Sequence, residues 1–162
     1  MRNRKIALMG LLVSLAFLLS YLESMLPIQI GIPGVKLGLA NIVILFAVVQ
    51  LGTKDAFFVM AARTVLAAFT FGNLYSLAYS LSGGILSTII MCFMNKTKKT
   101  GIIGISAAGG VAHNIGQLII ASYVLKSLDL KYYAGFLILC GVFTGVLTGI
   151  VCRNVNEKIR LV

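Results

Sequence analysis

His113, Asn114 and Gln117 stand close together in the run GVAHNIGQLII, with apolar sequence on both sides. His113 and Gln117 are four residues apart and share a helix face; Asn114 lies three residues before Gln117. A neutral imidazole and two amides each donate and accept hydrogen bonds, which suits a polar neutral or anionic ligand. The same groups also suit bonds between helices in a membrane. One histidine without neighbouring carboxylates is a poor metal site, so no metal is expected. Arg63 is the second point of interest, flanked by FFVMAA and TVLAAF. A charge at the depth of a bilayer costs at least ~2.5 kcal/mol and must face the bundle or a wet cavity. Two readings stand: contact with an anion or polar ligand, or a structural pair with Glu23. A third set, Tyr75, Tyr79 and Ser82 in GNLYSLAYSLSGG, recurs at helical spacing. Such tyrosines form an interfacial belt or, facing inward, stack on a flat ligand.

Several chemistries are excluded by what the sequence lacks. The four acids, Glu23, Asp55, Asp129 and Glu157, are scattered, with no DDxxD-like pair to hold the Mg²⁺ of a prenyl transfer. There is no P-loop and no suggestive Ser-His-Asp spacing. The expectation is a protein that is not itself an enzyme, carries no cofactor, and binds a small molecule with the help of partners.

The elements that must position these residues are apolar helices. With 59% hydrophobic residues, 11% charged residues and a mean hydropathy of +1.02, the chain has too little polar surface for a soluble domain of 162 residues. An all-α integral membrane protein in one domain (1–162) is expected. Its spans fall at about 6–26, 37–51, 56–71, 74–94, 101–125 and 132–152. Spans 2 and 3 are short. They cross with tilt or local thinning of the bilayer, which gives the six-helix bundle favoured here, or form a re-entrant hairpin that leaves four full spans. The basic N-terminus before the first apolar run imitates a signal peptide, but without a convincing cleavage site it is expected to be a retained span.

The net charge of +10 does not require nucleic acid. Arg2, Arg4, Lys5, Lys54, Lys96, Lys98, Lys99, Arg153, Lys158 and Arg160 fall in segments on one side of the expected bundle. Lys36, Lys126 and Lys131 fall on the other. That is positive-inside asymmetry, with both termini cytoplasmic in the plasma membrane of a prokaryote. Cys92, Cys140 and Cys152 sit in apolar runs without a CxxC, so neither disulfides nor zinc are expected.

Between the first two spans lies an outer loop, 27–36. Pro27 ends the first helix, and Gly31, Pro33 and Gly34 suit a tight turn. Yet Ile28, Ile30, Ile32 and Val35 are apolar. Either this is a lid folded onto the bundle with Lys36 beside a site, or a plain turn dipping into the interface while Lys36 snorkels. Small residues form seams: Gly141, Gly145 and Gly149 in the last span, and Gly10 and Ser14 with Ala7 one turn earlier in the first. Such seams allow close helix approach, within the chain or with a partner.

The stretches GVKLGLAN, FGNLYSLAYSLSGG and GVAHNIGQ, in this order, resemble the Gx transporter family, also described as heptaprenyl diphosphate synthase component I. The resemblance runs from about Leu8 to Cys152. That family more distantly resembles the substrate-binding S components of energy-coupling factor transporters, small six-helix membrane proteins. The resemblance implies capture of a small polar or anionic metabolite, vitamin-like or related to isoprenoids or quinones. A transmembrane coupling protein and a pair of ATPases would drive the cycle. By position, Gly34 and Lys36 would belong to the lid. Asn41, Arg63, Asn73, Tyr75, Tyr79, His113, Asn114 and Gln117 would line or border the pocket, and Ala7, Gly10 and Ser14 would face the coupling protein. The span 1 pattern departs from a strict AxxxAxxxA. The rival expectation is a non-transporting membrane accessory subunit in isoprenoid, quinone or flavin-linked electron-transfer metabolism.

Overall fold

The structure, a computed structural model, describes residues 2–25, 38–125 and 130–159. Among the described residues there are six helices and no strand: α1 (Arg2–Met25), α2 (Leu39–Gln50), α3 (Thr53–Thr70), α4 (Leu74–Thr97), α5 (Ile102–Leu125) and α6 (Leu130–Lys158). The expected outer loop 27–36, with Gly34 and Lys36, lies outside the described residues, as does Lys126.

Backbone chemistry fixes the breaks. Gly38 at φ 74° precedes α2 and Gly52 at φ 95° precedes α3, backbone geometry that a residue with a Cβ adopts only under strain. Asn73 opens α4 with a capping box: its side chain accepts from the Ser76 N–H at 2.8 Å, and its own N–H donates to Ser76 Oγ at 2.9 Å.

Four of the helices are long and apolar enough to cross a membrane: Asn3–Met25, Leu74–Thr97, Ile102–Val124 and Ala134–Lys158. The expected second and third spans are helical but shorter. The 12 residues of α2 extend about 18 Å and the 18 residues of α3 about 27 Å, against a hydrocarbon core of about 30 Å. By length α2 falls well short of a full span. It is buried on nearly every side, with Ala40 and Val43 to Val48 all in the core, between α1, α3, α4 and α6.

The basic segments gather at one end. There Lys5 Nζ pairs with Asp55 Oδ2 at 2.8 Å, Gln50 Nε2 donates to Asn156 Oδ1 at 2.7 Å, and Asn95 Nδ2 donates to the Val48 carbonyl at 3.2 Å. The start of α1, the α2–α3 turn and the ends of α4 and α6 thus meet, with Arg4, Lys54, Lys96, Lys98, Lys99, Arg153 and Lys158 exposed around them. At the opposite end Phe71 packs its ring against Phe17 and Tyr21, with centroids 5.7 and 5.6 Å apart.

Glycines set the tightest contacts. The seam of α6 lies on α5: a Cβ on Gly145 would stand 2.7 Å from both Ala107 Cα and the Ser106 carbonyl oxygen, and one on Gly149 would stand 2.9 Å from Ile103 Cα. Across the α4–α5 contact, a Cβ on Gly116 would stand 2.7 Å from the Ser82 oxygen. With no hydrophobic drive between helices in lipid, such backbone-to-backbone packing supplies much of the cohesion.

Candidate functional site

Interior polar groups fall into three neighbourhoods. The first joins α1, α3 and the start of α2. Arg63 is buried and its Nη1 donates to Ser20 Oγ at 3.2 Å. One turn further along α1, Glu23 accepts from the Gly38 N–H at 2.6 Å and lies close enough to Arg63 to act on it electrostatically. A carboxylate thus sits at the positive N-terminus of α2, within the field of a buried guanidinium whose Nε has no hydrogen-bond partner among the described residues.

The second neighbourhood is the α4–α5–α6 contact. His113, Asn114 and Gln117 are all buried, and each is placed differently. Asn114 Nδ2 donates to the Leu137 carbonyl at 2.7 Å and so fastens α5 to α6. The His113 ring lies over Gly83, where a Cβ would stand 3.0 Å from its Cε1 and Nδ1. Close by, Ser82 Oγ donates to the Gly116 carbonyl at 2.5 Å. Gln117 Oε1 is buried without a hydrogen-bond partner among the described residues.

The third is a cavity of about 20 Å³ where the start of α2 meets α4, α5 and α6; Gly38, Asn41, Ser87, Ser106, Thr144 and Thr148 are among the residues that line it. Thr144 lies 12 residues before Asn156, about 18 Å along α6, which places the cavity well inside the bundle. Of its lining, the sequence points to Asn41 as a site residue and to Gly145 only as part of the α6 seam. For two others a signal exists in TGVLTG: Thr144 and Thr148 recur four apart beside the glycines of the seam, on the face that meets α5.

The remaining candidates do not join these groups. Asn73 caps α4 and is exposed; Tyr75 is 67% exposed, and Tyr79 is half-buried. Replacing Asn73 with alanine is expected to lower stability by about 1 kcal/mol, read as a shift of the thermal unfolding midpoint. A ligand role would instead leave the midpoint in place. Ala7, Gly10 and Ser14 form an exposed stripe on α1, and a Cβ on Gly10 would meet nothing within 4 Å. Among the described residues, no three His, Cys, Asp or Glu side chains come together as a metal site would require.

Four helices with the length and apolarity of membrane spans, enclosing buried polar groups, define the build of a membrane-embedded helical protein. The heptaprenyl diphosphate synthase component I family matches this sequence over residues 12–155, and the chain belongs to that family. No curated protein and no solved structure matches the chain.

Proposed function

We propose that the protein is the substrate-binding membrane subunit of an importer of the energy-coupling factor type, taking up a small polar or anionic metabolite. The observation that carries this reading is the buried polar set around the start of α2, with Arg63 at its centre. A charge inside an apolar bundle is costly and marks a ligand path more often than a packing role. On this reading the six helices form one bundle, and its basic end faces the cytoplasm with both termini. The metabolite is vitamin-like or related to isoprenoids and quinones. With no nucleotide-binding motif in the sequence, energy comes from a transmembrane coupling protein and an ATPase pair. The exposed stripe Ala7, Gly10 and Ser14 is where that coupling protein docks, because Gly10 has no internal contact that would require a glycine.

The family description favours a second reading, a membrane accessory subunit in isoprenoid or quinone synthesis. Native mass spectrometry of gently purified protein separates the two. Co-purification with a coupling membrane protein and ATPases is expected, lost in Gly10→Leu while the isolated variant melts like the wild type. Arrival with a prenyl-transferring or redox enzyme instead would replace the importer reading by the accessory one.

A further inference from the structure

The cavity at the start of α2 has hydrogen-bonding character that can be worked out atom by atom. On its α5–α6 wall the hydroxyl protons are already committed. Thr144 Oγ1 donates to the Cys140 carbonyl at 2.9 Å and Thr148 Oγ1 to the Thr144 carbonyl at 2.9 Å. Ser106 Oγ and Thr148 Oγ1 are 3.0 Å apart, so the bond between them takes the Ser106 proton. These hydroxyls therefore turn lone pairs, and no proton, toward the cavity.

The α4 wall is different. Ser87 is 2% exposed and its Oγ has no hydrogen-bond partner among the described residues. It faces α5 across the cavity, 3.3 Å from where a Cβ on Gly109 would stand. A buried hydroxyl left unmatched is costly, and polar atoms in this position are ordinarily satisfied by protein or by ordered water. The α2 edge adds the Asn41 amide, and α2 has no side-chain N-cap at Gly38.

An occupant must therefore accept from Ser87 and donate to the lone pairs opposite. Acceptor-only groups such as carboxylate or phosphate find no donor on the α5–α6 wall. A bare cation would lie against the positive end of α2. A cavity of about 20 Å³ exceeds the ~10–15 Å³ that one water needs, and two to four polar partners are at hand.

We propose that this cavity is a binding site for one water molecule, which ties the start of α2 to α4, α5 and α6. The water accepts from Ser87 Oγ and donates to the Ser106 and Thr148 oxygens. It makes the α2 start a bridged junction, directly after the chain emerges from segment 26–37.

The test uses the full chain in lipid nanodiscs with methyl-labelled methionine, because Met91 also lines the cavity. A cross-peak between the Met91 methyl and the water resonance is expected in the wild type. It should persist in Ser87→Ala, where the other partners remain, and vanish in Ser87→Val, which fills the space. Its absence in the wild type overturns the proposal. So does its loss in Ser87→Ala, which would identify relay through the Ser87 hydroxyl. Thermal unfolding supplies an independent reading: Ser87→Val should melt several degrees below Ser87→Ala, because the opposing oxygens lose their donor. A higher midpoint for Ser87→Val would mean that a dry void had been filled. Replacing Na⁺ by choline should leave every midpoint unchanged; stabilisation by Na⁺ alone would assign the site to a cation instead of water.

Discussion

Gly145→Leu is expected to prevent accumulation of folded protein. A single added carbon at this position would stand 2.7 Å from Ala107 Cα and the Ser106 oxygen, and both are backbone, so no side chain can swing aside. Even Gly145→Ala must push α5 and α6 apart, at a cost of about 2 kcal/mol. The leucine side chain would separate the helices along their length, and the losses would spread. Asn114 would lose its bond to the Leu137 carbonyl, and the Ser106–Thr148 bond would break. Gly104 supplies the control. A Cβ there meets Thr100 at an ordinary 3.7 Å, so Gly104→Ala should match or exceed wild-type stability by the helix propensity gained. The measurement is the folded fraction recovered from membranes, followed by the unfolding midpoint in detergent. A well-folded Gly145→Leu protein would show that α5 and α6 are not held by this seam.

Arg63→Met is expected to cost about 2 kcal/mol of stability, because it takes the buried donor from Ser20 and the facing charge from the half-buried Glu23. The reason lies in Glu23. Its carboxylate accepts from the Gly38 N–H in the field of Arg63, and without the guanidinium that charge is less well compensated. Adding Glu23→Gln to Arg63→Met should restore more than half of the loss, because the two sites are coupled and their effects do not add. This double-mutant cycle, run on unfolding midpoints, separates the two roles open to Arg63. A cycle that closes as described measures the Arg63–Glu23 coupling, and loss of partner-driven uptake in the stability-restored double variant then shows that Arg63 also serves the ligand. A single variant that melts like the wild type but loses partner-driven uptake by more than tenfold assigns it to the ligand.

The long helices were legible because a run of 20 or more apolar residues between polar breaks has few alternatives in physics. The gathering of basic residues at one end was legible from their spacing along the chain, and the contacts Lys5–Asp55 and Gln50–Asn156 realise it. Facing direction was much harder. In a soluble helix the apolar stripe points inward; in an apolar bundle both the buried and the exposed faces are apolar, so periodicity identifies a stripe without its direction. Tyr75 and Tyr79 share a face in sequence and in structure, yet Tyr75 points outward. Asn114 and His113 are adjacent in one motif, yet one fastens α6 and the other packs on Gly83. Ser87 and Ser106 are not legible in the sequence, for a related reason. Hydroxyls in apolar helices commonly bond back to their own helix, as Thr64 and Thr88 do and as Thr148 does while also lining the cavity, and the sequence does not show which hydroxyls border open space.

The brevity of α2 bears on how the protein is made. Twelve residues are little more than half the length that halts in the bilayer as an independent span. Nothing in α2 can therefore commit it to the membrane while the ribosome is still producing the rest. Its final surroundings include α4 and α6, which emerge tens of residues later. During that interval α2 and α3 have no completed bundle to enter and must be sheltered, together, at the insertion site. The core helix is thus made before the α4 and α6 that enclose it.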